Sequence, residues 1–251
     1  MPRYGGSQIS FGPPFTGMVK TLCIVTSAVF LATYVPAALM GSPLPFGADI
    51  LGLRPALVLH GALWQPVTYL FLHGGWFHII FNLFALWMFG YDLEQAWGPR
   101  RFLYYFFLTG IGGALFNILL DPGSLIPVIG NSAAVYGILL AFGMLFPDRP
   151  IFLWFVVPIK AKWFVLIMGL IEFWGSLTQS GGGISHLAHL GGMLFGFFYV
   201  RSVRARRGPR GGSLNLRERY EDWRRARRRR KFESYMRDRD DRGDPPNRWV
   251  N

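Results

Sequence analysis

The sequence predicts an all-α, polytopic membrane protein whose helices cross the bilayer six times. Hydrophobic residues make up 51% of the 251 residues, and the mean hydropathy is +0.28. Charged residues make up only 16% and are concentrated toward the C-terminal end. This composition is too apolar for an ordinary soluble domain, and the apolar residues form runs that approach the roughly 20 residues needed to cross a bilayer.

These apolar runs give the predicted order of the transmembrane helices. They lie at about 18–40, 76–93, 101–120, 132–147, 163–179 and 184–202. The second, fourth and fifth runs are short, which is compatible with a bundle that thins the bilayer or encloses its polar ends. Pro122 follows the third run and Pro147 follows the fourth, as expected where helices end. The connection at 41–75 is apolar but interrupted by Gly and Pro, so we expect it to lie in the outer interface.

Connections that contain several lysine and arginine residues alternate with connections that contain few, and this pattern predicts the orientation of the chain in the membrane. The connections at 93–101 and 147–162 contain about five basic residues together, whereas the other three contain one, Arg54. Since positive charge favours the cytoplasmic side, both termini are predicted to be cytoplasmic. An alternative is that the first run is a signal peptide cleaved near Ser42, but the run is long and a polar segment precedes it.

The net charge of +12 is carried mainly by the C-terminal tail. Residues 201–251 contain about 18 Lys and Arg residues against about 8 Asp and Glu residues. We expect an N-terminal cytoplasmic segment at 1–17, a transmembrane domain at 18–202 and a basic cytoplasmic tail at 203–251. Such a tail is attracted to anionic lipid headgroups by about 1 kcal/mol per basic residue near the surface. The tail has no nucleic-acid-binding motif, so specific nucleic-acid binding is not predicted.

Four polar residues are predicted to lie in the outer half of the membrane domain. Ser132 begins the fourth run, and His189 lies about 7–8 Å below the outer end of the sixth at 1.5 Å per residue. His78 and Asn82 lie near the outer start of the second run and share one helix face because they are four apart. Polar side chains are costly in lipid and usually face the bundle interior or a water-filled cavity, so we expect these four to converge.

A serine and a histidine at the same depth are the components of acyl transfer. Histidine accepts the proton of a serine hydroxyl, which makes the hydroxyl a usable nucleophile. Donors directed at the developing oxyanion then stabilise the tetrahedral intermediate. His78, Asn82 and the backbone N–H groups around Asn131 and Ser132 are candidates, because the first turn of a helix leaves its N–H groups unpaired.

Each of these residues also has a simpler interpretation. Ser132 alone is typical of a helix N-cap. His186 and His189 are three apart, but no acidic residue lies beside them in the sequence and there is no H-E-x-x-H, so neither a metal nor a cofactor is predicted. Gly192 and Gly196 form a G-x-x-x-G, which predicts close packing of the sixth helix, near the fourth. Glu172 is an ionisable residue in the fifth run and so a functional candidate by default, but it belongs to no motif and we expect a structural role for it.

Three segments together resemble the rhomboid family of intramembrane serine proteases. "GNSAAVYG" (130–137) is similar to the G-x-S-G segment of that family, and "AHLGGMLFG" (188–196) to its A-H-x-x-G-x-x-x-G segment. "HGGWFHIIFN" (73–82) is similar to its second-helix segment. The resemblance covers about residues 18–200, with the helices in the same number and order.

The resemblance implies roles for individual residues. It implies a Ser–His dyad with Ser132 as nucleophile and His189 as base, and without an acidic third member. It places the oxyanion site near His78, Asn82 and the Ser132 amide. It also places the ring of Tyr136 against the histidine.

The sequence departs from the family pattern at two positions. Ala133 follows the serine where the family usually has glycine, and Gln65 follows Trp64 where it often has arginine. Both catalytic side chains are nevertheless present. The resemblance therefore implies a serine endopeptidase, with a non-catalytic rhomboid-like protein that binds transmembrane clients as the alternative.

The expected substrates are single-spanning membrane proteins, cut near their outer membrane boundary through an acyl-enzyme. Water would reach His189 through a cavity roofed by the 121–131 and 180–183 connections. The six-helix form favours the inner (plasma) membrane of a bacterium, with an organelle membrane as the alternative. A transporter is disfavoured, because internal repeats are not found and the polar cluster lies toward one side of the membrane rather than at its midplane.

Overall fold

The computed structural model describes residues 12–153, 156–178 and 185–206. The helices are α1 (Gly17–Leu39), α2 (Ala48–Leu51), α3 (Pro55–Leu59), α4 (Gln65–Thr68), a 3₁₀ helix (Tyr69–Phe71), α5 (Trp76–Trp97), α6 (Pro99–Leu120), α7 (Ser132–Leu145), α8 (Ala161–Thr178) and α9 (His186–Arg206), and the strands are β1 (Pro150–Leu153) and β2 (Val157–Lys160). Most of the predicted 1–17 segment, the 180–183 connection and the tail beyond residue 206 lie outside the described residues.

The six longest helices of the described residues correspond one to one with the six predicted transmembrane runs. Four of them, α1, α5, α6 and α8, are long and apolar enough to cross a bilayer. Helix α7 is apolar but has only 14 residues, and α9 has 21 residues and ends in arginines. The all-α, multi-pass membrane fold predicted from the sequence is confirmed.

The C-terminal end of α5 is longer than predicted. The predicted run stops where charged residues begin, but α5 continues to Trp97 and is separated from α6 only by Gly98, whose φ is +80°. The extra turn is held by a tertiary contact, because the Glu94 carboxylate accepts hydrogen bonds from the N–H groups of Met18 and Val19 at 2.8 and 2.9 Å. These are unpaired donors of the first turn of α1, so a buried acid caps a neighbouring helix.

Helix α7 is surrounded by other helices, in contact with α5, α6 and α8. A central helix can be shorter than a full span because its ends contact protein rather than lipid. Small residues bring its neighbours close. A Cβ added at Gly137 would lie 2.5 Å from the Cβ of Thr109 on α6, and one at Gly192 of α9 would lie 2.0 Å from the carbonyl oxygen of Ala133. The close packing of α9 on α7 that the G-x-x-x-G predicts is observed.

The 41–75 connection folds into the short helices α2, α3 and α4 and the 3₁₀ helix, in agreement with a segment too interrupted to span. It is joined to the 121–131 loop by an antiparallel bridge between Leu53 and Val128, with N···O distances of 2.9 and 2.8 Å. The Trp64 indole N–H donates to the carbonyl of Ile50 at 2.8 Å. These two connections therefore form one structure beside the start of α7.

The connection between α7 and α8 contains an antiparallel hairpin of β1 and β2 that the sequence analysis did not predict. Its prolines argue against strands, but Pro150 and Pro158 occupy a two-stranded ribbon in which both strands are edges. Lys160 and Lys162 donate to the Asp148 carboxylate at 3.3 and 2.9 Å, and these contacts lower the pKa of Asp148.

Candidate active site

Ser132 is the first residue of α7. The loop before it contains Gly130, whose backbone conformation other residues rarely adopt. Gly130 has a φ of +115°, in the left-handed region. Its N–H donates to the carbonyl of Tyr69 at 2.9 Å, which fixes the loop on the 3₁₀ helix. A Cβ at Gly130 would lie 2.6 Å from His78 Nε2 and 3.8 Å from Ser132 Oγ. Gly130 thus leaves a space between these two side chains.

Ser132 and His189 are in direct contact. The distance between Ser132 Oγ and His189 Nε2 is 2.7 Å, which is a hydrogen bond. His189 lies in the first turns of α9 and is buried, whereas Ser132 is half-buried at the start of α7. The close approach of α9 to α7 at Gly192 brings the two side chains together. This is the geometry of a nucleophile and its base.

The second nitrogen of His189 contacts an acidic residue. Glu172 Oε2 lies 2.9 Å from His189 Nδ1 and 2.7 Å from His186 Nδ1. The resemblance implied a histidine without an acidic partner, and no acid is near His186 and His189 in the sequence. The expectation of a histidine without an acidic partner is wrong for the folded chain, because α8 brings Glu172 beside the first turn of α9.

Tyr136 lies one turn after Ser132 and contacts the same group of residues. Its ring stacks on the His189 imidazole, with a centroid distance of 4.4 Å and an interplanar angle of 16°. Its hydroxyl donates to Glu172 Oε1. The tyrosine therefore restrains the plane of the histidine and one oxygen of the carboxylate at the same time.

His78 lies on the other side of Ser132, with its Nε2 beside Gly130. The Gly74 N–H donates to His78 Nδ1 at 3.4 Å, a long contact that favours the neutral tautomer with its proton on Nε2. The buried Asn82 is one turn further along α5, and its Nδ2 donates to the His78 carbonyl at 2.8 Å. Asn131 is fully buried directly before Ser132. The structure thus groups Ser132, His189 and Tyr136 tightly, with His78 nearby, while the described hydrogen bond of Asn82 is to backbone.

The methyl group of Ala133 is accommodated within the bundle. Ala133 is buried in the regular first turn of α7. A Cβ placed on Gly113 of α6 would lie 2.6 Å from the Ala133 Cβ, so the glycine on the neighbouring helix leaves room for this methyl. The departure from the family's glycine is therefore matched by space on α6.

Sequence reasoning missed the contacts that Glu172, His186 and His73 make beside Ser132, His189 and His78. An ionisable residue within a span was itself a signal for Glu172. The ring of His73 lies 4.8 Å from that of His78, and His73 is fully buried. Glu172, His186 and His189 also form a set of potential metal ligands, with their ligand atoms within 4.8 Å of one another. In this structure the Nδ1 atoms of both histidines hydrogen-bond Glu172 Oε2.

Comparison with known proteins assigns the family. The family model described as "Rhomboid domain" matches residues 60–206, which is more than half of the chain. The chain belongs to the rhomboid family. It is therefore a multi-pass membrane protein of that family, and its matched region contains Ser132 and His189.

Several named rhomboids are similar to this chain. It is 33% identical to "Rhomboid-like protease 5" of Toxoplasma gondii over 156 residues, or 58% of this chain and 17% of that protein. It is 29% identical to "Rhomboid protease GluP" of Bacillus subtilis over 163 residues, or 64% of this chain and 30% of that protein. It is also 38% identical to "Inactive RHOMBOID-like protein 8" of Arabidopsis thaliana over 84 residues, or 34% of this chain and 23% of that protein. The chain thus spans less than a third of the length of each of these three relatives.

Proposed function

We propose that this rhomboid is an intramembrane serine endopeptidase that cleaves transmembrane substrate helices near the outer membrane boundary. The observation that carries the proposal is the 2.7 Å contact between Ser132 Oγ and His189 Nε2. A serine hydroxyl in hydrogen-bond contact with an imidazole is the arrangement that acyl transfer needs, and ionisable side chains inside a membrane domain usually mark a functional site.

The first half of the reaction forms an acyl-enzyme. Ser132 Oγ attacks the carbonyl carbon of the scissile peptide, and its proton moves to His189 Nε2. The tetrahedral intermediate collapses when the C–N bond breaks, and His189 returns that proton to the leaving nitrogen. The amine product departs, and the substrate acyl group remains on Ser132 as an ester.

The second half restores the enzyme. A water molecule gives one proton to His189 Nε2 and attacks the ester carbonyl. The C–O bond to Ser132 then breaks, and His189 returns the proton to Ser132 Oγ. The products are a carboxylic acid and the free hydroxyl, so no cofactor is needed.

The oxyanion is proposed to bind in the space beside Gly130. This space lies between Ser132 Oγ and His78 Nε2, whose proton is available for donation. The Ser132 N–H is one of the first N–H groups of α7, which have no partner within the helix, and the helix dipole adds to the field. The Asn82 side chain would contribute only after turning from the His78 carbonyl.

The substrate class follows from the position of the site in a membrane domain. Single-spanning membrane proteins present a helix to the bundle, and the helix must unwind locally to expose a carbonyl to Ser132. Small or helix-breaking residues are therefore expected near the cut site. The distribution of basic residues supports cytoplasmic termini, and a bacterial inner membrane is proposed as the location. The basic tail is proposed to contact anionic lipid headgroups.

The test is cleavage of a single-spanning model substrate reconstituted with the purified protein. Ser132→Ala should reduce cleavage by at least about 10⁴-fold, since nucleophile and base act as one unit. Ser176→Ala is the matched control, because Ser176 on α8 bonds only a local carbonyl, at 2.7 Å from Phe173 O. Cleavage that persists in Ser132→Ala would rule out this mechanism.

A non-catalytic rhomboid that binds transmembrane clients is the second candidate function. Two observations favour it: the similarity to a relative named inactive, and the replacement of the family's glycine by Ala133. In that case wild type and Ser132→Ala would bind clients equally, and neither would cleave them.

A further inference from the structure

We propose that Glu172 is a positioning residue of this rhomboid. It hydrogen-bonds His189, which in turn hydrogen-bonds Ser132, so that three side chains rather than two form the connected site. This inference rests on the proposed protease function and deepens it. Its basis is the hydrogen bond between Glu172 Oε2 and His189 Nδ1. Glu172 does not touch the substrate and acts through His189.

The carboxylate selects the reactive form of the histidine. An ionised carboxylate only accepts hydrogen bonds, so the bond to Glu172 requires the proton of neutral His189 on Nδ1. His189 Nε2 is then unprotonated and accepts the hydrogen bond of the Ser132 hydroxyl. The opposite tautomer would leave the Nδ1 lone pair facing the carboxylate with no proton between these two acceptors, and its proton on Nε2 would prevent that nitrogen from acting as a base.

Glu172 is itself held by three donors from three side chains. Tyr136 OH donates to Oε1, and the Nδ1 atoms of His186 and His189 donate to Oε2. The Glu172 side chain is only 5% exposed. A carboxylate with this set of donors is stable as an anion, and its shielding from water strengthens its interaction with a positive imidazole.

The carboxylate also balances charge during the reaction. When the Ser132 proton reaches Nε2, His189 becomes a cation, and the Nδ1 proton remains on the ring. The titratable groups that face His189 are His78 from α5, Tyr136 from α7, Glu172 from α8 and His186 from α9. Among these groups, Glu172 is the one whose negative charge stabilises the cation, while the stacked ring of Tyr136 presents its aromatic face to the same imidazole.

The experiment compares Glu172→Gln with wild type in a fluorophosphonate labelling assay and in substrate cleavage. Glutamine keeps the size of the side chain and removes its charge. We expect the labelling rate and kcat to fall by about 10- to 100-fold with KM unchanged, the range for one charge-assisted hydrogen bond lost in the transition state. A purely structural role would instead lower the folded fraction and leave the rate per folded molecule unchanged.

Glu94→Gln is the matched control. It makes the same change at another buried glutamate, which caps α1 instead of contacting His189. It should lower thermal stability while the labelling rate per folded molecule stays at the wild-type value. A chelator should leave wild-type labelling unchanged, and stimulation or loss on chelation would overturn the proposal in favour of a metal bound by Glu172, His186 and His189.

A wild-type rate in folded Glu172→Gln would overturn the inference while leaving the protease function intact. Absence of labelling in the wild type would instead remove the proposed function. If Glu172→Gln does not fold, Glu172→Asp replaces it, because it keeps the charge and shortens the reach to His189 Nδ1. A reduced rate in Glu172→Asp supports the positioning role, and a wild-type rate there overturns it.

Discussion

At the scale of single residues, the site depends on a few groups that each satisfy two requirements. Gly130 supplies a positive φ and also leaves the space between His78 and Ser132. Tyr136 stacks on His189 and also bonds Glu172. A side chain that contacts two partners has few alternative rotamers. These dual contacts therefore restrain the groups of the candidate site without a large hydrogen-bond network.

Gly130→Ala tests the proposed oxyanion site. The new Cβ would lie 2.6 Å from His78 Nε2 and would occupy the space assigned to the oxyanion. A non-glycine residue in the left-handed region also costs about 1–2 kcal/mol. We expect at least about a 10-fold lower labelling rate and a modest loss of thermal stability.

Gly123→Ala is the control for this substitution, because a Cβ at Gly123 meets nothing within 4 Å. It should label at the wild-type rate. An unchanged labelling rate in Gly130→Ala would show that the oxyanion lies elsewhere.

At the scale of elements, the site is made where α7 and α9 approach most closely. Ser132 and His189 are 57 positions apart in the sequence and meet because Gly192 lets the α9 backbone contact the Ala133 carbonyl. The apolar runs predicted both helices and approximately where they begin, and the glycine spacing predicted their close packing. The contact of α8 with them was not, since hydropathy does not say which face of α8 carries Glu172 inward.

Gly192→Ala tests the role of this helix contact. A Cβ there would lie 2.0 Å from the Ala133 carbonyl oxygen, so α9 must move away from α7. A displacement of about 1 Å between reacting groups costs about 10²-fold in rate. We expect labelling to fall by about that factor while the helical circular dichroism is retained.

The control is Gly169→Ala on α8, whose added Cβ would meet only the flexible end of Met193, at 3.3 Å. This variant should label within about 3-fold of wild type, as expected for a volume change of one methyl group. Equal labelling in Gly192→Ala and Gly169→Ala would contradict the helix-contact account.

At the scale of the whole molecule, composition and apolar runs were enough to predict an all-α, multi-pass membrane protein. The motifs were enough to predict that the side chains of Ser132, Tyr136 and His189 meet. The extension of α5 was not predictable because it depends on a tertiary contact, and the β1–β2 hairpin was not predictable because its prolines argue against strands. Glu94 caps α1, and an ion pair with an N···O distance of 2.8 Å joins Arg149 to Asp92. A local sequence pattern reveals neither contact. The acidic partner of His189 was missed for the same reason.

The orientation in the membrane is testable with single cysteines. Ile126 and Val156 are 72% and 75% exposed in connections predicted to lie on opposite sides, whereas the native Cys23 is buried. A membrane-impermeant maleimide should label Ile126→Cys in intact cells and Val156→Cys only after permeabilisation. Labelling of Val156→Cys in intact cells would reverse the proposed topology.

The central claim is that Ser132 is a nucleophile activated by His189. The most direct measurement is mass spectrometry of the detergent-solubilised protein after fluorophosphonate treatment, with the adduct assigned to a peptide. We predict one adduct, on Ser132, and its loss in both Ser132→Ala and His189→Ala. An adduct on another residue, or one that persists in His189→Ala at the wild-type rate, would contradict the account.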